Sequence, residues 1–276
     1  MSETEFDIIL EHNRSVSNYW KDLWKFRGLF YFLSWRDILV RYKQTAIGIA
    51  WSIIRPLMTM IIFTIIFGKV AKLPDSGVPY VLLVCVGMLP WQFFANAFSE
   101  ASNSLVANGS MLSKVYFPRL IIPASSVIVA LIDFFISLLI LVGLMIWYRF
   151  IPSAQIIFLP AFLLLAIVVT LGAGFWIAAL NVKYRDFRYV VPFIVQFGLY
   201  VSPVGFSSSV IPEKFRLIYS LNPMVGVIDG FRWCIFGGNC PINFTGFSIS
   251  VILSILLFIY GLYFFRKMER SFADII

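Results

Sequence analysis

The side chains that could do chemistry in this sequence are few, and they stand far apart. There is one histidine, His12, and there are three cysteines, Cys85, Cys234 and Cys240. This inventory is too small for a structural zinc site, which takes about four Cys or His ligands. The sequence also contains no G-x-x-x-x-G-K-[ST] phosphate-binding loop, no H-E-x-x-H and no G-x-S-x-G. We therefore predict no catalytic site, no metal site and no cofactor on this chain.

The composition places the chain in a membrane. Of its 276 residues, 60% are hydrophobic and 13% are charged, and the mean hydropathy is +0.88. Soluble domains are about 45–50% apolar and about 25% charged, so an ordinary soluble enzyme and a disordered chain are excluded. The net charge of +8 is typical of basic loops that fix membrane topology, and this explanation is preferred over nucleic-acid binding.

Runs without charged side chains predict an all-α integral membrane protein with six transmembrane helices. Trimmed at prolines, glycines and polar turns, the spans are 46–68, 79–99, 122–147, 155–181, 189–206 and 246–265. Residues 1–45 then form a cytoplasmic N-terminal segment, 46–265 the six-span domain and 266–276 a cytoplasmic tail. Sixteen of the 22 Lys and Arg residues fall on one side of this arrangement, which predicts that both termini are cytoplasmic.

Residues 207–240 are apolar enough to resemble a seventh span, but they carry charges that a span would not tolerate. A seventh span would also place the basic tail outside the cell. We instead predict an outward-facing hairpin of two short helices between spans five and six, which can dip into the membrane where protein shields it. Its key residues are the N-cap Asn222, the first helical residue Pro223, and the charged Asp229 and Arg232.

The same hairpin contains two of the cysteines, Cys234 and Cys240. Five residues separate them, two of which are glycines that would let the chain fold back. A site outside the cytoplasm permits oxidation. A disulfide bridge and two free, partly buried thiols therefore stand as alternatives.

An amphipathic segment, residues 15–43, precedes the first span and is expected to break near Gly28. Apolar side chains recur at helical spacing, and the basic ones fall on another side, near anionic headgroups. The segment could be a plain membrane anchor or a docking surface for a cytoplasmic partner. The residues that define this interface helix are Tyr31, Trp35, Arg36, Ile38, Arg41 and Tyr42.

The second cytoplasmic loop, residues 102–118, is longer than a minimal turn. Asn108-Gly109 breaks the chain, and Ser110 is expected to cap a short helix over Met111–Val115. Such a helix could insert into a groove of another protein, or it could be a structured connector. The candidate coupling residues are Ser110, Met111, Leu112, Lys114 and Tyr116.

Two charged side chains lie within predicted spans, Arg55 in the first and Asp133 in the third. Intramembrane carboxylates are rare and are usually functional or paired. Asp133 could serve a proton relay, an ion pair or a hydrogen-bonded structural role, and the lack of further titratable groups in other spans favours pairing or packing. The candidates for a conduit or an intramembrane role are Trp51, Arg55, Trp91, Asp133 and Tyr200.

Several stretches resemble the membrane subunits of type-2 ABC exporters of polysaccharides. The resemblance covers nearly all of residues 20–270 and is close to the O-antigen branch, beside capsule and teichoic-acid exporters. The stretches are Trp35–Ile38 with Arg41–Thr45, Gly48 and Trp51; Arg55–Leu57; Leu89–Trp91; Lys114–Arg119; Tyr200–Val204; and Leu221–Met224 with Gly230–Trp233.

This resemblance implies a permease: a homodimer of six-span subunits around a central conduit, with two separate ATP-binding subunits docked below. ATP and Mg would bind to those subunits, and the permease itself would not be an enzyme. The substrate would be a polysaccharide on an undecaprenyl-type lipid carrier, exported across the cytoplasmic (inner) membrane of a bacterium for lipopolysaccharide biosynthesis. The alternative function is a stand-alone or proton-coupled transporter that uses Asp133.

Overall fold

The computed structural model describes residues 16–43, 48–72, 77–112, 114–184, 186–269 and 272. Within these ranges all regular structure is helical, as predicted. Two N-terminal helices, α1 (Val16–Lys25) and α2 (Arg27–Lys43), precede the first span. The break between them falls at Phe26, close to the predicted break at Gly28.

The remaining helices follow the predicted order of spans and loops. They are α3 (Gly48–Phe63), which continues as a π-helix over Thr64–Val70, then α4 (Tyr80–Ala107), α5 (Gly109–Leu112), α6 (Ile121–Trp147), α7 (Leu159–Lys183), α8 (Phe187–Val201), α9 (Glu213–Tyr219), α10 (Pro223–Phe236) and α11 (Phe244–Glu269). Among the described residues, five helical segments are long and apolar enough to cross a membrane, and α8 is a shorter apolar helix. This arrangement agrees with a fold of about six spans.

The predicted fifth span, 189–206, is shorter as a helix than expected. Helix α8 has 15 residues, about 22 Å, whereas a bilayer core is about 30 Å thick. Ser202 ends the helix with an extended backbone, φ −85° and ψ 152°, because the residue before a proline is disfavoured in the helical region. The chain from Ser202 to Phe206 therefore continues without regular helix.

Alternating helix directions give the bundle two ends. The loop end contains the connection from α4 to α6 and the end of α11, which meet where the Arg119 backbone N–H donates to Glu269 Oε1 at 2.8 Å. The hairpin end contains α9 and α10 and the connection from α6 to α7, where the Ser153 N–H donates to the Ile235 carbonyl at 2.9 Å. These relative sides agree with the predicted topology.

The core forms where α4, α7 and α11 surround α10. Eleven of the 14 residues of α10 are buried, so the second hairpin helix does lie shielded by protein. Helices α7 and α11 cross at two glycines, and a Cβ atom added at Gly261 would lie 2.1 Å from the Gly172 carbonyl oxygen. Such small residues let helix backbones approach closely inside a membrane. By contrast, α3 and α8 each keep a large apolar face exposed.

Candidate functional site

The intramembrane carboxylate Asp133 lies in an ion pair. Arg41 Nη2 of α2 lies 2.7 Å from Asp133 Oδ2, with side-chain exposures of 30% and 10%, and the Tyr42 hydroxyl donates to Asp133 Oδ1. Arg41 also lies 3.7 Å from Glu100 Oε1 on α4. Of the three roles considered for Asp133, this geometry supports the ion pair, and it joins α2 directly to α6.

Two basic side chains of α2, Arg36 and Arg41, contact polar groups of the protein. Arg36 Nη2 donates to Asn108 Oδ1 at 3.0 Å and forms an ion pair with Asp37 at 2.7 Å. Polar groups of α4, of Asn108 that follows it, and of α6 thus contact these two cations within the subunit. A position of the basic residues near lipid headgroups stays a prediction.

An aromatic face of α2 remains exposed. The Tyr31 and Trp35 rings are stacked with centroids 6.4 Å apart and planes 7° apart, and both side chains are exposed, as is Phe32. Ile38 is half-buried beside the packed face, where Leu33 is fully buried. This face has the chemistry that an anchor in the membrane surface or a docking surface requires.

The candidate coupling helix begins earlier than predicted. Helix α5 is the single turn Gly109–Leu112, and the backbone N–H groups of Met111 and Leu112 both donate to the Asn108 carbonyl at 3.1 Å. Asn108 therefore precedes the helix, and Ser110 lies inside it, so the predicted Ser110 cap is wrong. The Asn108 amide is instead held by α4, because Nδ2 donates to the Ser104 carbonyl at 2.9 Å.

The coupling candidates divide into an inner and an outer set. Leu112 is buried in an apolar cluster with Phe117, and Met111 packs against the same cluster. These two side chains anchor the loop to the bundle, so the expectation that Leu112 enters a partner groove is wrong for this conformation. Ser110, Lys114 and Tyr116 are exposed, and Tyr116 is 58% exposed.

The residues predicted for a conduit or an intramembrane role also differ in how deeply they are buried. Trp91 is 4% exposed and fills the contact between α4 and α8, where a Cβ atom added at Gly198 would lie 2.5 Å from its ring. Trp91 therefore packs between two helices of this chain, and its role in a conduit stays a prediction. Arg55 on α3 is exposed. The side chain of Trp51 lies outside the described residues.

Tyr200 belongs to an exposed aromatic stripe along α8. Its ring lies 6.4 Å from Phe63 of α3, and the Phe193 and Phe197 rings are stacked 5.7 Å apart. The exposed members of the stripe are Tyr189, Phe193, Phe197 and Tyr200. Sequence reasoning selected Tyr200 alone, although the spacing of three and four residues already indicates one helix face.

Helix α10 begins with the capping interaction that the sequence predicts. The Met224 backbone N–H donates to Asn222 Oδ1 at 3.0 Å, and Pro223 occupies the first turn. The predicted N-cap is confirmed. Asn222 Nδ2 also donates to Ser202 Oγ at 2.9 Å, which ties the hairpin to the end of α8.

Arg232 is the buried cation of the hairpin end. It is 1% exposed, and its guanidinium donates through Nη1 to the Phe206 carbonyl at 2.6 Å and through Nη2 to the Val204 carbonyl at 2.9 Å. Nη2 also lies 3.4 Å from the Leu83 carbonyl of α4. Burial raises the pKa of the nearby Asp229 carboxyl, and the Arg232 charge opposes that rise. In the sequence, the one indication that Arg232 would anchor the hairpin was its position as a charged residue within an apolar run.

The two hairpin cysteines form no disulfide bridge with each other. Cys234 and Cys240 are both buried and unbridged, which supports the second of the two alternatives. Burial raises the pKa of the Cys234 thiol to about 12, so its reactive thiolate form is scarce at neutral pH. Within the described ranges, no group of three or more His, Cys, Asp or Glu side chains could hold a metal ion.

Known proteins resemble this chain over most of its length. The O-antigen export system permease protein RfbA of Klebsiella pneumoniae is 30% identical over 242 residues, which cover 87% of this chain and 92% of that protein. RfbA of Myxococcus xanthus is 25% identical over 92% of this chain and 97% of its own length. The capsule polysaccharide export inner-membrane protein CtrC of Neisseria meningitidis serogroup B is 22% identical over 92% of this chain and 96% of its own length.

A family model agrees with these relatives. It matches residues 28–236, from the interface helix α2 through the end of α10. The match thus includes the loop from α4 to α6, the α8 stripe and the hairpin anchored by Arg232. This chain belongs to the ABC-2 type transporter family.

Proposed function

We propose that this protein is the permease subunit of an ABC exporter that moves an O-antigen-like polysaccharide across the inner membrane of a bacterium. The observation that carries this proposal is the near full-length similarity to O-antigen export permeases in a chain with the helical segments of about six spans. The chain has no phosphate-binding loop of its own. Energy therefore comes from a separate ATP-binding subunit that holds ATP and Mg, and the assembled complex hydrolyses ATP.

Two copies of the chain enclose the conduit. Helix α3 and the π-helix that continues it expose a row of large apolar side chains, namely Ile54, Met58, Ile61 and Ile65. A second copy would cover this row. The aromatic stripe of α8 adjoins this row through Phe63 and Tyr200. Aromatic faces stack on the C–H surfaces of sugars while leaving the sugar hydroxyls hydrated, so this stripe suits the wall of a polysaccharide path.

The loop end faces the cytoplasm in this proposal. Most basic residues of the sequence lie on that side, as expected for cytoplasmic loops. Two ATP-binding subunits dock there, on the exposed Lys114 and Tyr116 and on the aromatic face of α2. The polymer arrives on an undecaprenyl-type lipid, which holds it at the membrane surface beside the conduit.

A proton-coupled mechanism is less well supported. Asp133 would have to exchange protons, yet it lies 2.7 Å from the Arg41 guanidinium. The ion pair therefore suits a structural role that links α2 to α6.

The docking surface can be tested by charge reversal in a matched pair of variants. Lys114→Glu with Tyr116→Asp changes two exposed side chains at the loop end and leaves the buried Leu112 anchor in place. We expect it to abolish co-purification of the ATP-binding subunit and the appearance of polymer at the cell surface. Membrane insertion should persist because the spans are unchanged.

The matched control is Lys214→Glu with Phe215→Asp, an equally exposed lysine and aromatic residue at the hairpin end. It should retain the ATP-binding subunit. Undiminished co-purification in the first variant, or equal losses in both, would contradict the proposed docking surface.

A further inference from the structure

A polar cavity lies at the hairpin end, apart from the α8 stripe and from the docking surface. It has a volume of about 400 Å³ and lies among α9, α10 and the start of α11. This size falls within the range of about 300–1,000 Å³ that is usual for small-molecule sites. Hydroxyl and amide groups dominate its polar wall, from Ser207, Ser208, Ser209, Tyr219, Asn239 and Asn243.

Two residues that line the cavity each have a buried polar atom without a hydrogen-bond partner among the described residues. The two atoms are Arg232 Nε and the Tyr219 hydroxyl oxygen. Both terminal nitrogens of Arg232 donate to backbone carbonyls, so Nε is the one guanidinium nitrogen without an acceptor among the described residues. Buried polar groups without partners are rare in folded proteins and call for an explanation. A ligand that bonds to both atoms would supply one.

The cavity wall contains hydrogen-bond donors, an acceptor and apolar side chains, and together these indicate the kind of ligand. Arg232 and Tyr219 offer donors, whereas Asp229 offers a carboxylate acceptor. A carboxylate beside the arginine disfavours an anion, because like charges repel at close range. Val225 and Phe247 add an apolar part to the same wall. A sugar has these properties, because its hydroxyl groups both donate and accept hydrogen bonds and its ring has an apolar face.

We propose that this cavity binds one neutral sugar residue of the transported polymer where the polymer leaves the protein. The proposal rests on the proposed function for the identity of the polymer. The Arg232 side chain that lines the cavity also holds the Val204 and Phe206 carbonyls. The sugar is thus bound beside the segment that follows α8, the helix with the aromatic stripe.

Binding can be measured by saturation-transfer difference NMR on the purified full-length protein in lipid nanodiscs. The probes are the methyl glycosides of glucose, galactose, mannose and N-acetylglucosamine, with inorganic phosphate as the anionic probe. We expect saturable binding of at least one glycoside. Tyr219→Phe should weaken it about fivefold to tenfold, the effect of one lost hydrogen bond.

The Tyr219→Phe variant separates ligand binding from folding. Because the hydroxyl has no protein partner among the described residues, its removal should leave the thermal stability of the ligand-free protein unchanged. Tyr263→Phe, on an α11 tyrosine that is 63% exposed, is the matched control and should bind glycosides as the wild type does.

Three results would overturn the sugar site: no glycoside binding by the wild type, equal binding by Tyr219→Phe, or displacement of glycosides by phosphate. The measurement uses neither the ATP-binding subunit nor export. A protein that exports polymer in cells but binds no glycoside would therefore reject the cavity proposal and leave the proposed function standing. Glycoside binding without any export in cells would reject the exporter function alone.

Discussion

The ion pair between Arg41 and Asp133 joins the helix before the first span to the third span. Removing one partner leaves the other charge partly buried, so Arg41→Gln or Asp133→Asn should each lower the free energy of unfolding by about 2 kcal/mol. The double variant should lose less than the sum of the two, with a coupling energy of about 1 kcal/mol or more. Unfolding in mixed detergent micelles measures all three. Additive losses would show that the pair contributes nothing.

The same double variant separates the two functions considered for this carboxylate. A structural ion pair predicts that Arg41→Gln with Asp133→Asn still exports polymer, because no titratable proton is needed. A proton-coupled carrier predicts that export stops while expression and stability remain intact.

Arg232 organises the hairpin end through three carbonyl contacts. A lysine keeps the charge but offers a single compact ammonium group, which cannot span these acceptors. We expect Arg232→Lys to lower the free energy of unfolding by about 3 kcal/mol, since buried charged hydrogen bonds are lost. Arg216→Lys is the control, because Arg216 is half-exposed and its Nε–H donates to a single carbonyl, that of Ile211. Equal effects of the two substitutions would contradict this role.

Contacts between residues that are close in the sequence could be predicted from the sequence. Contacts between residues that are far apart in the sequence could not. Asn222 was identified because its capping bond reaches only two residues along the chain. Asp133 was expected to pair, but its partner Tyr42 stands 91 residues away, and no local pattern names it. The burial of Leu112 was missed because an apolar side chain suits a core and a docking surface equally well.

The positions of the spans could be predicted from runs without charged residues, because a transmembrane helix needs about 20 apolar residues. The ends of the elements depend on single residues, as at Ser202, where Pro203 shortens α8. The exposed stripe on α8 and the exposed face of α3 could not be separated from buried faces by composition. All spans here are apolar around much of their circumference, so the pattern alone does not show which side packs.

The close crossing of α7 and α11 predicts that a larger side chain at the crossing point destabilises the fold. Gly261→Ala places a Cβ atom against the Gly172 carbonyl, 2.1 Å away without adjustment. We expect a loss of about 1–3 kcal/mol in the free energy of unfolding, as for other overpacked contacts. Gly143→Ala on α6 is the control, because no atom lies within 4 Å of its added Cβ. A neutral Gly261→Ala would show that the two helices do not cross so closely in the membrane.

At the scale of the whole molecule, the exposed row on α3 predicts contact between two copies. Met58→Cys, in a background without Cys85, Cys234 and Cys240, should form a disulfide-linked dimer on oxidation in native membranes. Ile259→Cys, on the exposed face of α11, should remain a monomer under the same conditions. Cross-linking at Ile259 and none at Met58 would place the dimer contact elsewhere.

In the proposed function, ATP hydrolysis by a separate subunit drives polysaccharide through this permease. The most direct measurement follows lipid-linked polysaccharide into inside-out vesicles that contain the permease with its ATP-binding subunit. We expect transport that requires ATP and both subunits and that continues after an uncoupler removes the proton gradient. Transport by the permease alone, driven by a proton gradient and abolished by the uncoupler, would contradict it.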